Sequence, residues 1–352
     1  MSDPRKAAPG SEVRLDVGAL QAYLRERVSG LAGDIRVSRF KGGQSNPTYL
    51  IESDTTHYVL RTKPAPKADL LPSAHAIERE FRVQSALASS EVPVARMHCL
   101  CEEESVIGRA FYLMERVEGR IFWDQTLPEL DPPERTAIYD ELNRVIAALH
   151  RIDPDAIGLD DYGKHGQYFA RQIERWTRQY HASRTLDIPA MDKLMDWLPA
   201  HIPDDEDPVA LVHGDYRIDN VIFHPTEPRI LAVIDWELST LGHPLADFAY
   251  HMMAWHIPHE TQRGLAGLDL AALGIPQEPA CIEAYQERSG RTVSGDWNFY
   301  LAYNLFRVAA ICQGIAKRAE NGTASNARAA EFGKQARPLG ELGWQFACQA
   351  GA

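Results

Sequence analysis

The sequence predicts an α+β protein, with a small sheet-based part followed by a larger, mainly helical part. Short strand-like runs concentrate in the first third of the chain. From Asp131 onward, apolar residues such as Ile138, Leu142 and Val145 recur at helical spacing. A hairpin signal interrupts the helical part between residues 221 and 234. We therefore expect two lobes, at residues 15–118 and 119–352, after a flexible tail at 1–14.

The overall composition is that of an ordinary globular protein. The chain has 352 residues, of which 45% are hydrophobic and 24% are charged, so it can bury a full core. Its formal net charge of -12 argues against nucleic acid or an anionic membrane surface as the main partner. No apolar run reaches the length of a membrane span. We therefore expect a cytoplasmic protein, as a monomer or a homodimer.

The elements of the first lobe follow from hydrophobic periodicity. Leu20 and Leu24 predict a leading helix, and three strands, one helix and two further strands should follow. The predicted strands are 35–40, 49–51, 58–61, 97–101 and 110–117, and the predicted helix is 73–89 with Ser73 as its cap.

The second lobe should contain a series of helices. After the helix that begins near Asp131, the predicted helices are 168–183, 189–199, 244–256, 279–288, 296–319 and 325–348.

A glycine-containing loop lies between the first two predicted strands. Gly42 and Gly43 allow the backbone to approach a ligand closely, and Ser45 and Asn46 can offer polar groups to phosphate. The same sequence would also suit a simple hairpin turn.

Two cations end the third predicted strand, and either could contact phosphate. Arg61 and Lys63 are two residues apart, so they lie on the same side of the strand. On the following helix, Glu80 shares a face with Val83, whereas Glu78 points roughly 200° away from it. We favour Arg61 as the phosphate-binding cation and Glu80 as its partner.

The segment His213-Gly214-Asp215, with Asn220 and Asp235 further on, carries the strongest chemical signal. Two apolar runs separate Asn220 from Asp235, and the turn between them predicts a β-hairpin. Because the open ends of a hairpin meet, we expect Asp215, Asn220 and Asp235 to lie close together. Asn220 and Asp235 could bind Mg²⁺ through oxygen atoms. Asp215 could accept the proton of an attacking hydroxyl.

Two residues near this segment are expected to support it. His213 is predicted to orient the loop that carries Asp215. Asp247 is predicted either to cap its helix or to hold that loop in place. Glu237 adds a carboxylate beside Asp235.

His213-Gly214-Asp215-x-x-x-x-Asn220, followed by Asp235 after a hydrophobic strand, resembles the catalytic and metal loops of the aminoglycoside phosphotransferase and choline kinase group. These proteins share the protein kinase fold. The segments 233–237, 242–247 and Phe306-Arg307 are similar to the phosphotransferase-like domains related to those fused to acyl-CoA dehydrogenases in animals. The resemblance covers about residues 15 to 345.

The resemblance implies ATP and Mg²⁺ as cofactors and assigns roles to individual residues. Arg61 stands where protein kinases have a lysine that holds the phosphates, and Glu80 stands where they have its glutamate partner. The other nucleotide-binding residues would be Gly42, Gly43 and Ser45 in the covering loop, and Glu115 and Val117 in a hinge that binds adenine through its backbone. The region after Asp247 would bind the acceptor, with Tyr303, Arg307 and Glu237 as candidate contacts.

Together these features predict an ATP-dependent enzyme that moves the γ-phosphoryl group to a hydroxyl of a small molecule. The similarity to the fused domains suggests a hydroxyacyl-CoA or a related metabolite as the acceptor. Two alternatives remain at this point. One is a catalytically silent nucleotide-binding module, which the arginine at position 61 favours, and the other is an aminoglycoside or choline-type kinase.

Overall fold

The computed structural model describes residues 15–40, 46–54, 56–64, 76–203, 209–261, 264–293, 295, 297–322 and 329–352. The chain divides into two compact units. The first comprises Met1–Arg120, Ile222–Pro225 and Leu231–Glu237, and the second comprises Ile121–Val221, Thr226–Ile230 and Leu238–Ala352. The two later segments of the first unit lie beyond the boundary expected near residue 118. The expected tail at 1–14 lies outside the described residues.

The first unit is built on a five-stranded antiparallel sheet. Its strands are β1 (Arg36–Arg39), β2 (Thr48–Glu52), β3 (His57–Thr62), β4 (Met97–Cys101) and β5 (Phe111–Glu115). They are arranged in the order β1-β2-β3-β5-β4. All five strands were predicted, with bounds that differ by at most two residues. The central position of β3 places Arg61 opposite Tyr112 on β5.

Two helices accompany this sheet, α1 (Val17–Arg27) and α2 (Ile77–Leu87). Leu20 and Leu24 of α1 pack with Leu60 in one apolar cluster. Ile77 of α2 packs with Tyr112 in a second, smaller cluster. The sheet therefore buries apolar side chains in two separate clusters. The predicted cap Ser73 lies outside the described residues, and within them α2 begins after Ala76, which makes no side-chain capping bond.

The second unit is mainly helical. Its longer helices are α3 (Pro132–Arg151), α4 (Tyr168–Ser183), α5 (Pro189–Ala200) and α6 (Pro244–Met252), and a short helix, α7 (Leu270–Leu273), follows. The remaining helices are α8 (Glu278–Ser289), α9 (Trp297–Glu320), α10 (Ala329–Gly333) and α11 (Ala336–Gln349). Helix α9 packs against α4, α5, α6, α10 and α11 and so forms the centre of the unit.

Two predictions for these helices were wrong in detail. The helix expected at 244–256 ends at Met252 and continues as a 3-10 turn at Met253–Trp255. The helix expected at 325–348 is divided into α10 and α11. The division follows Gly333, where an added Cβ would lie 2.7 Å from the Cβ of Ala316 on α9. This close packing fixes the end of α10 against α9.

Four short strands complete the chain. The predicted hairpin is present as β7 (Val221–Phe223) and β8 (Ile230–Val233), which form a two-stranded sheet. A second pair, β6 (Ala210–Val212) and β9 (Thr240–Gly242), was not predicted. These two strands bracket the segment from His213 to Ser239.

Helix α9 is the one described helix that is long and apolar enough to cross a membrane. However, 78% of its most apolar window is buried inside the structure. Its apolar composition therefore fits its place among the other helices of the second unit.

Candidate active site

In the first unit, Arg61 lies at the centre of a buried polar network. Its Nε lies 2.8 Å from Oε2 of Glu80, and the side chains are 13% and 2% exposed. A terminal nitrogen of Arg61 also donates a hydrogen bond of 2.9 Å to Asp235. Burial alone would lower the pKa of Arg61, but the charges of Glu80 and Asp235 outweigh it and leave that pKa raised. The predicted contact between Arg61 and Glu80 is confirmed.

Glu80 has two further partners, Tyr112 on β5 and Asn46 in the bend before β2. Tyr112 donates a hydrogen bond of 3.0 Å to Oε2, and Asn46 donates one of 2.8 Å to Oε1. A buried carboxylate costs several kcal/mol unless it is paired and hydrogen-bonded. This network therefore supplies the contacts that Glu80 requires, and it holds the guanidinium of Arg61 in one orientation.

Lys63, the other candidate cation, is placed differently. Its Nζ lies 3.0 Å from Oε2 of Glu78, and both side chains are more than a third exposed. Such exposed pairs contribute little to stability. The structure therefore separates the two cations, since Arg61 is buried with Glu80 whereas Lys63 pairs with Glu78 near solvent.

Asp235 has an unusual backbone conformation. Its φ is 68°, in the left-handed region that few non-glycine residues adopt. Trp236, the next residue, is buried and donates a hydrogen bond of 2.9 Å to the carbonyl of Val233, which fixes the turn. The carboxylate of Glu237 lies 3.6 Å from Arg61. Strained backbone of this kind is often found at functional sites.

In the second unit, Asp215 is held by several partners. The Nδ2 group of Asn220 donates to both the backbone carbonyl and Oδ2 of Asp215, each at 2.9 Å. Tyr250 donates a hydrogen bond to Oδ1, and Nε of Arg217 lies 3.3 Å from the same oxygen. The side chain remains 20% exposed. A carboxylate fixed in this way and still accessible can accept a proton from a bound hydroxyl.

The loop that carries Asp215 is anchored by Asp247. The carboxylate of Asp247 accepts hydrogen bonds of 2.8 Å from the backbone N–H groups of both His213 and Gly214. The Nδ1 atom of His213 accepts one of 3.2 Å from the N–H of Asp215. The predicted contacts of Asp247 and His213 with this loop are therefore confirmed. The alternative that Asp247 caps its helix was wrong, because His243 is the N-cap of α6.

Asp247 is in turn held by a buried histidine. Nε2 of His150 lies 3.2 Å from Oδ2 of Asp247, and Nδ1 of His150 lies 2.8 Å from the hydroxyl of Tyr285. Burial lowers the pKa of His150. Burial alone would raise the pKa of Asp247, but the hydrogen bonds from His150 and the backbone of His213 leave it lowered. A neutral His150 that donates to an ionised Asp247 fits both directions.

Gly214 is required by the shape of this loop. Its φ is +80°, and an added Cβ would lie 2.7 Å from the carbonyl oxygen of Leu238. Only glycine combines this backbone conformation with such a close approach. The glycine between His213 and Asp215 therefore allows the loop to turn.

Several predicted residues have other placements. Arg307 is buried and donates a hydrogen bond to the carbonyl of Gly214, and Tyr303 is fully buried on the same helix. Glu115 ends β5, and its side chain accepts a hydrogen bond from the N–H of Arg96. Val117 lies in the irregular segment that follows. Gly42, Gly43 and Ser45 lie outside the described residues.

Four residues that contact the site were not predicted from the sequence. They are Tyr250, Arg217, His150 and Tyr112. For Tyr250 the signal was its position three residues after Asp247, on the same face of α6. For His150 and Tyr112 no local signal existed, since each contact joins residues that are far apart in the chain.

Two residues could supply oxygen ligands to a metal ion. Asn220 uses its amide nitrogen to bind Asp215, which leaves its amide oxygen as a ligand, and the carboxylate of Asp235 is 38% exposed. Within the described ranges, no group of three or more His, Cys, Asp or Glu side chains could hold a metal ion. Each residue taken alone has an oxygen atom of the kind that binds Mg²⁺, which commonly takes one or two protein ligands beside substrate phosphates.

Comparison with known proteins identifies the family. Residues 36–288 match the phosphotransferase enzyme family. Acyl-CoA dehydrogenase family member 10 of Mus musculus is 46% identical over 336 residues, which are 95% of this chain and 31% of that protein. The chain thus spans about a third of the length of this relative.

Solved structures agree with this assignment. A protein of Ralstonia eutropha JMP134, provisionally described as an aminoglycoside phosphotransferase, is 59% identical with a TM-score of 0.88, over 95% of this chain and 99% of that one. Choline kinase of Cryptosporidium parvum Iowa II is 12% identical with a TM-score of 0.63, over 95% of each chain. The spectinomycin phosphotransferase APH(9)-Ia, crystallised with ADP and spectinomycin, is 14% identical with a TM-score of 0.62, over 96% of this chain and 99% of that one.

The fold is therefore the protein-kinase-like fold that the sequence predicted, with a five-stranded antiparallel sheet in one unit and a mainly helical second unit. The chain belongs to the phosphotransferase enzyme family.

Proposed function

We propose that this protein transfers the γ-phosphoryl group of ATP to a hydroxyl of a small molecule. The observation that carries the proposal is the fixed orientation of Asp215. Asn220 and Tyr250 both donate to its carboxylate, and Asp247 anchors the preceding two backbone N–H groups. This arrangement supports a role for Asp215 as the group that orients the acceptor hydroxyl and accepts its proton.

The nucleotide would be bound mainly by residues of the first unit. Arg61 would contact the phosphates, and its ion pair with Glu80 would keep the guanidinium in position. The backbone at Glu115 and Val117 would bind adenine, and the loop with Gly42, Gly43 and Ser45 would cover the phosphates. A likeness to a phosphotransferase crystallised with ADP supports ATP as the donor.

Asn220 and Asp235 are the residues that would bind Mg²⁺. A bound Mg²⁺ ion would neutralise negative charge on the phosphates. The protein itself supplies positioning, because the hydrogen bonds to Asp215 and the ion pair of Arg61 are already formed. Preorganised groups of this kind account for much of the rate in phosphoryl transfer.

The acceptor is proposed to be a hydroxylated acyl thioester or a related metabolite. The support is the likeness to a protein named as a member of the acyl-CoA dehydrogenase family. With this acceptor, the chain would act on the same class of compounds as enzymes that use acyl-CoA substrates. Aminoglycosides and choline are the competing acceptors.

The test is a screen for ADP release from purified protein with ATP and Mg²⁺. The acceptors would include hydroxyacyl-CoA esters, choline, sugars and aminoglycosides. We expect one class to stimulate ADP release, and Asp215→Asn to abolish that stimulation while ATP binding stays near normal. Asp160→Asn, at an exposed position, is the matched control and should leave turnover unchanged. Equal turnover in Asp215→Asn and wild type would exclude the mechanism. Binding of ATP without transfer to any acceptor would favour a catalytically silent nucleotide-binding module.

A further inference from the structure

Arg307 is a buried cation without an acidic partner among the described residues. It is 6% exposed, and its one hydrogen bond is donated to the backbone carbonyl of Gly214. Its guanidinium carbon lies 4.9 Å from the ring centre of Tyr250 and 5.6 Å from that of Trp176. Ring contacts of this kind offset only part of the cost of removing a charge from water. Burial alone would lower the pKa of Arg307, but nearby tyrosines and Asp215 leave that pKa raised, so the guanidinium stays charged without a carboxylate within ion-pair distance in the described residues.

A second arginine adds to this charge. Arg175 on α4 is exposed, and its guanidinium carbon lies 5.1 Å from the ring centre of Trp176. Partial desolvation and the nearby charge of Arg307 both lower the pKa of Arg175. Within the part of the chain that the structure describes, Arg175 also has no carboxylate within ion-pair distance. We refer to Arg175, Trp176, Tyr250 and Arg307 as the arginine cluster.

One N–H donor in the arginine cluster, Nε of Arg307, is buried and has no acceptor in the described residues. Buried donors in proteins are nearly always hydrogen-bonded, and an unpaired one costs about 1–3 kcal/mol. An unpaired donor on Arg307, with the second guanidinium of Arg175 nearby, is the complement of a negatively charged ligand.

We propose that the arginine cluster binds an anionic group, a carboxylate or a phosphate, on the acceptor substrate. Guanidinium groups suit both, because their N–H donors form a planar fork that matches two oxygen atoms. This inference rests on the proposed phosphotransferase function and defines the class of its acceptor as a hydroxylated molecule with a negative charge.

The arginine cluster is connected directly to the loop of Asp215. Tyr250 packs against the guanidinium of Arg307 and donates a hydrogen bond to Asp215, while Arg307 donates to the carbonyl of Gly214. An anion bound here would therefore lie near the carboxylate that receives the hydroxyl proton. A polycationic acceptor such as an aminoglycoside would be repelled by the two arginines.

Binding of anions can be measured without any phosphoryl transfer. Inorganic phosphate and acetate would each be titrated into the full chain by calorimetry, at constant ionic strength and without nucleotide. The test variant is Arg175→Gln, because this exposed side chain can be changed without disturbing a packed core. The matched control is Arg178→Gln on the same helix, whose side chain is 73% exposed and lies 4.0 Å from Glu174.

We expect Arg175→Gln to weaken binding of the preferred anion by about tenfold, and Arg178→Gln to leave it unchanged. Arg307→Lys, which keeps the charge but loses the fork, should also weaken binding. Equal dissociation constants for both glutamine variants, or no binding of either anion to the wild type, would overturn the proposal and leave Arg307 a structural contact of Gly214.

A second arm uses paired acceptors in the ADP-release assay. A hydroxycarboxylate would be compared with its methyl ester, and glycerol 3-phosphate with glycerol. In one of the two pairs, we expect the charged acceptor to have a lower KM than the neutral one. Arg175→Gln should remove that difference. The pair that shows the difference identifies the preferred anion as a carboxylate or a phosphate. Anion binding without any turnover would contradict the proposed function alone. Turnover of a neutral acceptor that Arg175→Gln leaves unchanged would contradict the arginine cluster alone.

Discussion

Arg61 and Glu80 form a buried ion pair in which Nε of Arg61 lies 2.8 Å from Oε2 of Glu80. The pair joins the central strand of the sheet to α2. Replacing a lysine by an arginine at this position keeps the charge and adds donors in a fixed plane. One guanidinium therefore contacts Glu80 through Nε and Asp235 through a terminal nitrogen at the same time. A lysine ammonium has a single nitrogen, so it would have to contact both carboxylates from one point.

The first prediction concerns the stability that depends on this pair. Arg61→Met should lower the free energy of unfolding by about 3–5 kcal/mol, because Glu80 would stay buried without its counter-charge. The double variant Arg61→Met/Glu80→Gln should lose much less than the sum of the two single variants. Urea unfolding measures all three. Lys63→Met removes an exposed pair and should change stability by at most about 1 kcal/mol. Additive effects of the two single changes would show that the ion pair has no energetic coupling.

The second prediction concerns the anchor of the loop that carries Asp215. Asp247→Asn replaces one carboxylate oxygen by an amide nitrogen, so one of the N–H groups of His213 and Gly214 loses its acceptor. We expect a loss of about 1–3 kcal/mol in the free energy of unfolding, together with a lower kcat. Asp196→Asn, at an exposed position of α5, should be neutral within about 0.5 kcal/mol. A fully active and fully stable Asp247→Asn protein would argue against the anchoring role.

The third prediction concerns Tyr250, whose hydroxyl donates to Asp215. Tyr250→Phe removes this donor and keeps the ring that packs against Arg307. If the phosphotransferase proposal holds, kcat should fall about tenfold with little change in the KM for ATP, since about 1.4 kcal/mol of positioning energy is lost. Tyr23→Phe in the first unit is the control. An unchanged kcat in Tyr250→Phe would mean that Asn220 suffices to orient Asp215.

The fourth prediction concerns stability against pH. Burial lowers the pKa of His251 from 6.5 to about 4. As pH falls, His251 therefore binds a proton near pH 6.5 in the unfolded chain but only near pH 4 in the folded protein. Because the unfolded state binds more protons in this window, the free energy of unfolding must fall as pH drops. Between pH 7.5 and pH 5 we expect a loss of about 2 kcal/mol from this residue.

The control for this prediction is His251→Gln, which cannot titrate. Urea unfolding of wild type and variant should be compared at pH 7.5 and pH 5. The pH dependence of the variant should be about 2 kcal/mol shallower than that of the wild type. Parallel curves for the two proteins would show that His251 has the same pKa in the folded and unfolded states, which would contradict the prediction.

The regular elements could be predicted from the sequence because their signals are local. Helix α4 has the predicted bounds, and Glu80 was chosen correctly over Glu78 from helical periodicity alone. The break between α10 and α11 had a local signal in Gly333, since glycine commonly ends helices. Strands β6 and β9 had none, because each has three residues and its partner lies far along the chain.

The site could be predicted in part for the same reason. Asp215, Asn220 and Asp235 stand in a recognisable spacing, but their partners come from other elements. His150 is 97 residues from Asp247, and Arg307 is 93 residues from Gly214. Such contacts depend on the packing of whole helices, which a single sequence does not specify locally. The closeness of Asp215, Asn220 and Asp235 stays a prediction.

The two late segments of the first unit, Ile222–Pro225 and Leu231–Glu237, have a consequence for synthesis on the ribosome. The five strands of its sheet have all been translated once residue 115 is made, but Asp235, a partner of Arg61, has not. While more than a hundred further residues are translated, Arg61 can form its ion pair with Glu80 but not the one with Asp235. A stop codon or a cloning boundary placed between the two units would leave the first unit permanently in that unfinished state.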